Sequence, residues 1–185
     1  MAAIRPVEPV IRFCAVIAGD DASRQWGIER VRQRWGEIAE VTEPALFEAG
    51  GFYDATMGTG LQKVLVALDA PCDPAGLADW KSATNRWEDE WAEQTEARVP
   101  RPLNLDPGYV TQAKLVLATT KDRDHRLYLR DGMFAEVTLN YVARQWVHHR
   151  WTYPDYRTDQ VKAFAQRCRD RLRKHLQAGG GFRKV

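Results

Sequence analysis

Between residues 105 and 139 the chain reads LDPGYVTQAKLVLATTKDRDHRLYLRDGMFAEVTL, so many different polar groups interrupt apolar runs of the kind that fill a core. Asp106, His125 and Glu136 are side chains that take and give protons, and they are the candidate catalytic residues. Lys114, Thr119, Lys121 and Arg126 are donors suited to a phosphate or carboxylate. A second stretch, WTYPDYRT, adds Tyr153, Asp155, Tyr156 and Arg157 around a Pro that stiffens the loop. With Tyr109 and Trp151, these tyrosines could stack on a flat ring. Asp106, Glu136 and Asp155 could alternatively hold a divalent cation such as Mg2+ between ligand and protein. A small-molecule site has this make-up, apolar walls with a few convergent polar groups. Each group also has a plainer reading: Asp106 caps the Asp-Pro-Gly turn, Glu136 sits at a sheet edge in water, and WTYPDYRT ties the last strand to the C-terminal helix.

Other chemistries find little support. His148 and His149 are adjacent, so on a strand they point to opposite faces and cannot share one ion. Cys14, Cys72 and Cys168 are widely spaced and form no CxxC pair, which argues against a zinc ribbon or a disulfide framework and for reduced thiols in the cytoplasm. There is no GxSxG elbow. A formal charge of +2, from 27 basic and 25 acidic residues, gives no field that would draw nucleic acid or an anionic membrane. No apolar run approaches a spanning helix, and the opening MAAIRPVEPVIRF lacks the apolar centre of a signal peptide.

The elements that must position these groups follow from pattern. At 185 residues the chain is sized for one domain, expected over 1–177, with AGGGFRKV as a disordered Gly-rich tail at 178–185. FCAVIAG and LQKVLVALDAP read as buried strands, and RPLNLD as another. Helices are expected over about 23–38, 74–94 and 158–177. In the first, Ile28, Val31, Trp35 and Ile38 recur at helical spacing; in the second, Leu77, Trp80, Thr84, Trp87 and Trp91 do so behind a possible Asp73 cap and Pro74. The charge runs EDEWAEQTE and RCRDRLRK read as solvated helix faces. ALFEAGGFYDATMGTG reads as a broken strand with a Gly-rich turn. The resulting order is βαββαβ, that of a ferredoxin-like sandwich with its helices on one face of a mainly antiparallel sheet, extended by a C-terminal hairpin and helix. VTQAKLVLATT suits a strand or a short helix from about Thr111, with the helix preferred here.

Asp131-Gly132 between HRLYLR and MFAEVTLNYV is a two-residue hairpin signal. If Arg130 pairs with Met133, uninterrupted pairing sets Leu129 against Phe134 and Leu127 against Glu136. His125 then lies diagonal to Glu136 and Arg126 points away from both. A Glu among Leu127, Leu129 and Phe134 calls for a partner or a ligand, and Lys114 or Lys121 is expected to approach it.

The motifs LDPGY, KLVLATTK, HR with YL, AEVTL and WTYPDY, with a weaker YDATMGTGL, closely resemble domain-of-unknown-function family 4416, an uncharacterised bacterial family, over nearly the whole chain. The resemblance implies no activity. Members sometimes carry a GTP-binding label, but this chain has no GxxxxGK[ST] loop and its nearest Gly-rich piece, MGTGLQK, has the wrong spacing. On the residues, the first expectation is a binder of, or enzyme acting on, a small anionic ligand, nucleotide-like molecules being one option. A regulatory or protein-interaction module is the alternative, and RNA binding comes last because RNP-type aromatic patterns are absent.

Overall fold

The computed structural model describes residues 7–48, 50–51 and 53–179. The expected tail beyond Gly179 lies outside the described residues. In chain order the elements are β1 (Ile11–Ala18), α1 (Asp21–Trp35), β2 (Ile38–Val41), β3 (Ala45–Leu46), α2 (Asp54–Met57), β4 (Gln62–Leu68), a 3-10 turn (Pro74–Gly76), α3 (Leu77–Gln94), β5 (Leu103–Val110), β6 (Lys114–Thr119), β7 (Arg126–Arg130), β8 (Met133–Val142), β9 (Gln145–His148), a second 3-10 turn (Pro154–Tyr156) and α4 (Asp159–Ala178). The sheet order is β2-β4-β1-β5-β6-β8-β7, with β3 added beside β4 and β9 beside β8. Every neighbouring pair is antiparallel, so the fold is α+β on one large open antiparallel sheet.

Helices cover both faces of that sheet. On one, Val16, Val66, Leu103 and Leu105 pack with Ile28 and Val31 of α1 and Trp87 of α3. On the other, Phe13, Leu65, Leu115 and Leu139 pack with Phe164, Cys168 and Leu172 of α4. The first two long helices share a face as expected, but α4 corrects the one-faced picture by closing the opposite side. This two-sided cover is why β1 and β4 are apolar almost throughout rather than alternating. Local signals set the helix starts: Asp20 accepts from the Ser23 N–H at 2.8 Å, Asp73 from the Ala75 N–H at 2.8 Å, and Thr158 from the Val161 N–H at 3.3 Å. The three cysteines are free thiols. Among the described residues no helix is long and apolar enough to cross a membrane.

Three local expectations are overturned. The 111–119 stretch is strand β6, not a helix, because Thr111 Oγ1 accepts from the N–H groups of Ala113 and Lys114 and makes a tight turn between β5 and β6. Leu115 and Leu117 then face α4 while Val116 and Ala118 face α3, and burial on both sides erased the period of two. In the hairpin, Arg130 does pair with Met133, but an irregularity at Leu129 shifts the rest by one, giving Tyr128 against Phe134 and Arg126 against Glu136. Among its described residues, the stretch read as a broken strand holds the two-residue β3 and the single turn α2.

One feature of the sheet opens the site. β5 pairs with β6 only from Gly108 to Val110. At Gly108 an added Cβ would meet the Val116 carbonyl and lie 2.7 Å from the Phe13 ring, so close approach there needs glycine. Toward its N-terminus stands Pro107, which has no N–H to donate, and from there the strands part, β5 staying with β1 and β6 following β8. Leu105 would leave its backbone groups unpaired at this gap. Instead Glu88 Oε1 accepts from its N–H at 2.8 Å and Lys81 Nζ donates to its carbonyl at 2.8 Å. Two charged side chains of α3 thus complete the edge of β5.

Candidate functional site

The parted strands frame a cleft of about 780 Å³, within the roughly 300–1,000 Å³ usual for small-molecule sites. Its lining draws on the 47–53 segment, α3, β5, the end of β6 with the following loop, β8 and the Pro154 turn. Its inner wall is an ionic network. Lys81 Nζ reaches Asp106 Oδ1 at 3.1 Å, Asn104 donates to Asp106 Oδ2 at 2.7 Å, and Arg101 donates to Glu88 Oε2 at 2.7 Å and also to the side-chain Oδ1 of Asn104. Lys81 is 5 % exposed and Glu88 8 %. Burial works against charge on Lys81, but Asp106 and Glu88 outweigh it and hold its pKa above the ordinary lysine value. For Asp106 burial would raise the pKa, yet Lys81, Asn104 and Arg101 hold it below the usual carboxylate value. Burial wins at Glu88, which is raised despite Lys81 and Arg101.

A second set crosses the cleft. Glu136 is 2 % exposed and accepts from Arg126 Nε at 2.8 Å, lies 3.1 Å from His125 Nε2, and has the Thr138 hydroxyl at 3.4 Å. The buried carboxylate therefore has the partner its setting demanded, but by a different route. The shifted register turns Arg126 onto the Glu136 side, and His125 reaches the carboxylate from just before β7, where its ring stacks on Trp151 at 5.1 Å. His149 also stacks on Trp151 at 4.5 Å, and Trp151 Nε1 donates to the Val137 carbonyl at 3.0 Å, so this indole serves the scaffold. Arg126 Nη1 also donates to the Lys121 carbonyl at 2.9 Å, fixing the 120–125 loop over the cleft. A third pair, Lys63 with Asp155, closes the end nearest the Pro154 turn, with Lys63 Nζ 3.8 Å from the centre of the Tyr156 ring. Burial lowers the Lys63 pKa more than Asp155 restores it.

Among the sequence candidates, Asp106, Thr119, Lys121, Arg126, Glu136, Tyr153, Asp155 and Tyr156 all line the cleft. His125 is one contact removed, touching Glu136 rather than lining the space. Lys114 stands at the opposite end of β6 beside Asn140, and the cation that pairs with Glu136 is Arg126 rather than either lysine expected there. Arg157 turns back to donate to the carbonyls of Thr152, at 2.7 Å, and Arg150, at 3.2 Å, and stiffens its own loop. Tyr109 packs on Trp80. Sequence reasoning missed Lys63, Lys81, Glu88, Arg101 and Asn104. Among the described residues no group of three or more His, Cys, Asp or Glu is placed to hold a metal ion.

The model of the family described as Domain of unknown function (DUF4416) matches residues 8–172. The chain belongs to the DUF4416 family. Neither the curated proteins nor the solved structures contain a match to it. In this DUF4416 chain the segments LDPGY, KLVLATTK, AEVTL and WTYPDY supply Asp106, Thr119 with Lys121, Glu136, and Tyr153 to Tyr156, all on the cleft.

Proposed function

We propose that the cleft binds a small anionic molecule against Lys121, Arg123 and Arg126, with Tyr53 and Tyr153 on its walls to flank a flat, nucleotide-like ring. The observation that carries this reading is the crowding of cations at one side of the cleft. Burial lowers the Lys121 pKa, and Arg126, Arg101 and Arg123 push it down further. Glu136 and Glu88 pair with Arg126 and Arg101, and Lys121 and Arg123 are solvent-exposed residues of the cleft lining. An anion there relieves like-charge repulsion and gains charge-assisted hydrogen bonds. If the protein is an enzyme, Asp106 is the acid–base group that faces the bound molecule, and His125 and Glu136 position Arg126. Were Mg2+ to accompany the ligand, Asp106 and Asp155 would be the carboxylates to hold it, and it would supply positive charge against the ligand's anionic group. The order β2-β4-β1-β5, with α1 and α3 on one face, supports reading the first half as a ferredoxin-like unit, and three free thiols support a cytoplasmic setting.

Titration calorimetry with a panel of phosphates, sugar phosphates, nucleotides and carboxylates, each with and without Mg2+, tests the proposal. At least one anion is expected to bind the wild type and to lose about tenfold or more in affinity in Lys121→Ala/Arg123→Ala, each charged hydrogen bond being worth roughly 1.5–3 kcal/mol. Unchanged affinity in the double variant would place the anion elsewhere.

A role in protein association is the second reading, favoured by β7. It is an edge strand, and its Leu127 and Tyr128 are 70 % and 63 % exposed. Such an edge can add the same strand of a second copy. Sedimentation that gives a monomer across the whole accessible concentration range would rule this pairing out.

A further inference from the structure

Building on the anion-site reading, we propose that the molecule bound in the cleft carries a hydroxyl or amine donor beside its anionic group, and that Asp106 and Asn85 receive that donor. Among the carboxylates that line the cleft, Glu48 and Asp89 are exposed to water and Asp155 is paired with Lys63; the remaining three are not equivalent. The side chains of Glu88 and Glu136 are only 8 % and 3 % exposed. Glu88 is taken by Arg101, Lys81 and the Leu105 N–H, and Glu136 by Arg126, His125 and Thr138. Asp106 differs because its side chain is 32 % exposed, although Lys81 and Asn104 hold one oxygen each. A carboxylate has about four acceptor positions, so two partners leave Asp106 with lone pairs on its exposed side. Its partners also keep it ionised. An ionised carboxylate accepts only, so what it can hold is a donor.

Asn85 adds a second polar group at the same wall. It stands on α3 between Lys81 and Glu88, spaced four and three residues from them, and lines the cleft half-buried. Its amide has no hydrogen-bond partner among the described residues. The amide offers one acceptor and two donor hydrogens, which matches a hydroxyl or an amine. Asp106 and the cations Lys121, Arg123 and Arg126 line the same cleft, so one bound molecule can face both. A bare anion would feel the repulsion of Asp106, whereas an anion with a donor on the far side satisfies both walls.

Calorimetry with inorganic phosphate, glycerol 3-phosphate and O-phosphoethanolamine separates the possibilities. At least one of the two donor-bearing phosphates should bind about tenfold tighter than inorganic phosphate, and which one does so identifies hydroxyl or amine. The advantage should vanish in Asp106→Asn and fall in Asn85→Ala. Asn85 holds up nothing around it, so Asn85→Ala keeps the test decisive even if Asp106→Asn folds poorly. Equal affinity of all three phosphates, or an advantage unchanged in Asn85→Ala, overturns the donor inference while leaving the anion site standing. No binding by any of the three, with none across the wider anion panel, removes the anion site itself.

Discussion

Lys81→Met should destabilise the protein by about 3–5 kcal/mol at neutral pH, the usual cost of removing one partner from a buried charge network. Lys81 is 5 % exposed, donates to the Leu105 carbonyl at 2.8 Å and to Asp106 at 3.1 Å, and stands 3.7 Å from Glu88 as an ion pair. Methionine preserves most of the volume but leaves a backbone carbonyl unpaired and sets the buried Glu88 and the partly exposed Asp106 near each other without their shared cation. The deficit should also depend on pH in a definite direction. Without Lys81 the folded state raises the pKa of Asp106 and Glu88 above their unfolded values. The penalty is then fully present above the folded pKa and shrinks as pH falls through it toward the unfolded one. Urea unfolding of both proteins at about pH 7 and about pH 5 should show the gap narrowing on acidification. A constant gap would mean that Lys81 acts through packing, not charge.

Glu136→Ala should cost a similar amount, about 3–5 kcal/mol, for the mirror-image reason. It leaves the Arg126 side chain, 4 % exposed, without its carboxylate and removes the acceptor 3.1 Å from His125 Nε2. Loss of order should spread along the 120–125 loop, because Arg126 Nη1 also holds the Lys121 carbonyl. Replacing both partners, Arg126→Met with Glu136→Leu, should recover most of the stability, since a matched apolar pair leaves no charge stranded. It should not recover anion binding. Thermal unfolding of the single and double variants checks the first part, and a double variant no more stable than Glu136→Ala would refute it.

The fold was legible where apolar pattern speaks alone. FCAVIAG and LQKVLVALDAP were recognisable as buried strands, and the tryptophans of α3 as a packing stripe. Backbone irregularity was not legible. The bulge at Leu129 moved Arg126 onto the face of Glu136, and no side-chain pattern marks a single unpaired residue in a strand whose Leu127 and Leu129 are themselves exposed. β6 was mistaken for a helix because burial on both faces leaves an apolar run without a period. The site was half legible, through the polar residues clustered in LDPGY, KLVLATTK and WTYPDY. Its α3 half was hidden by the tryptophans, though a signal existed: Lys81 and Glu88 sit directly after Trp80 and Trp87, on the flank of the buried stripe. Lys63 gave the same kind of sign by falling in phase with Leu65 and Ala67 on the face that α4 covers. A charged residue in phase with a core stripe must find a partner, and here the partners are the groups that open and line the cleft.

The central claim, that a small anion is held between the parted strands at Lys121, Arg123 and Arg126, is tested most directly by amide chemical-shift mapping. Isotope-labelled protein would be titrated with the tightest anion of the calorimetric panel. The account predicts saturable shifts concentrated at Thr119 to Arg126, Arg101, Tyr53, Tyr153 and Asp155, all absent in Lys121→Ala/Arg123→Ala. Shifts confined to other surfaces, such as the arginine-rich exposed side of α4, or persisting undiminished in the double variant, would contradict it.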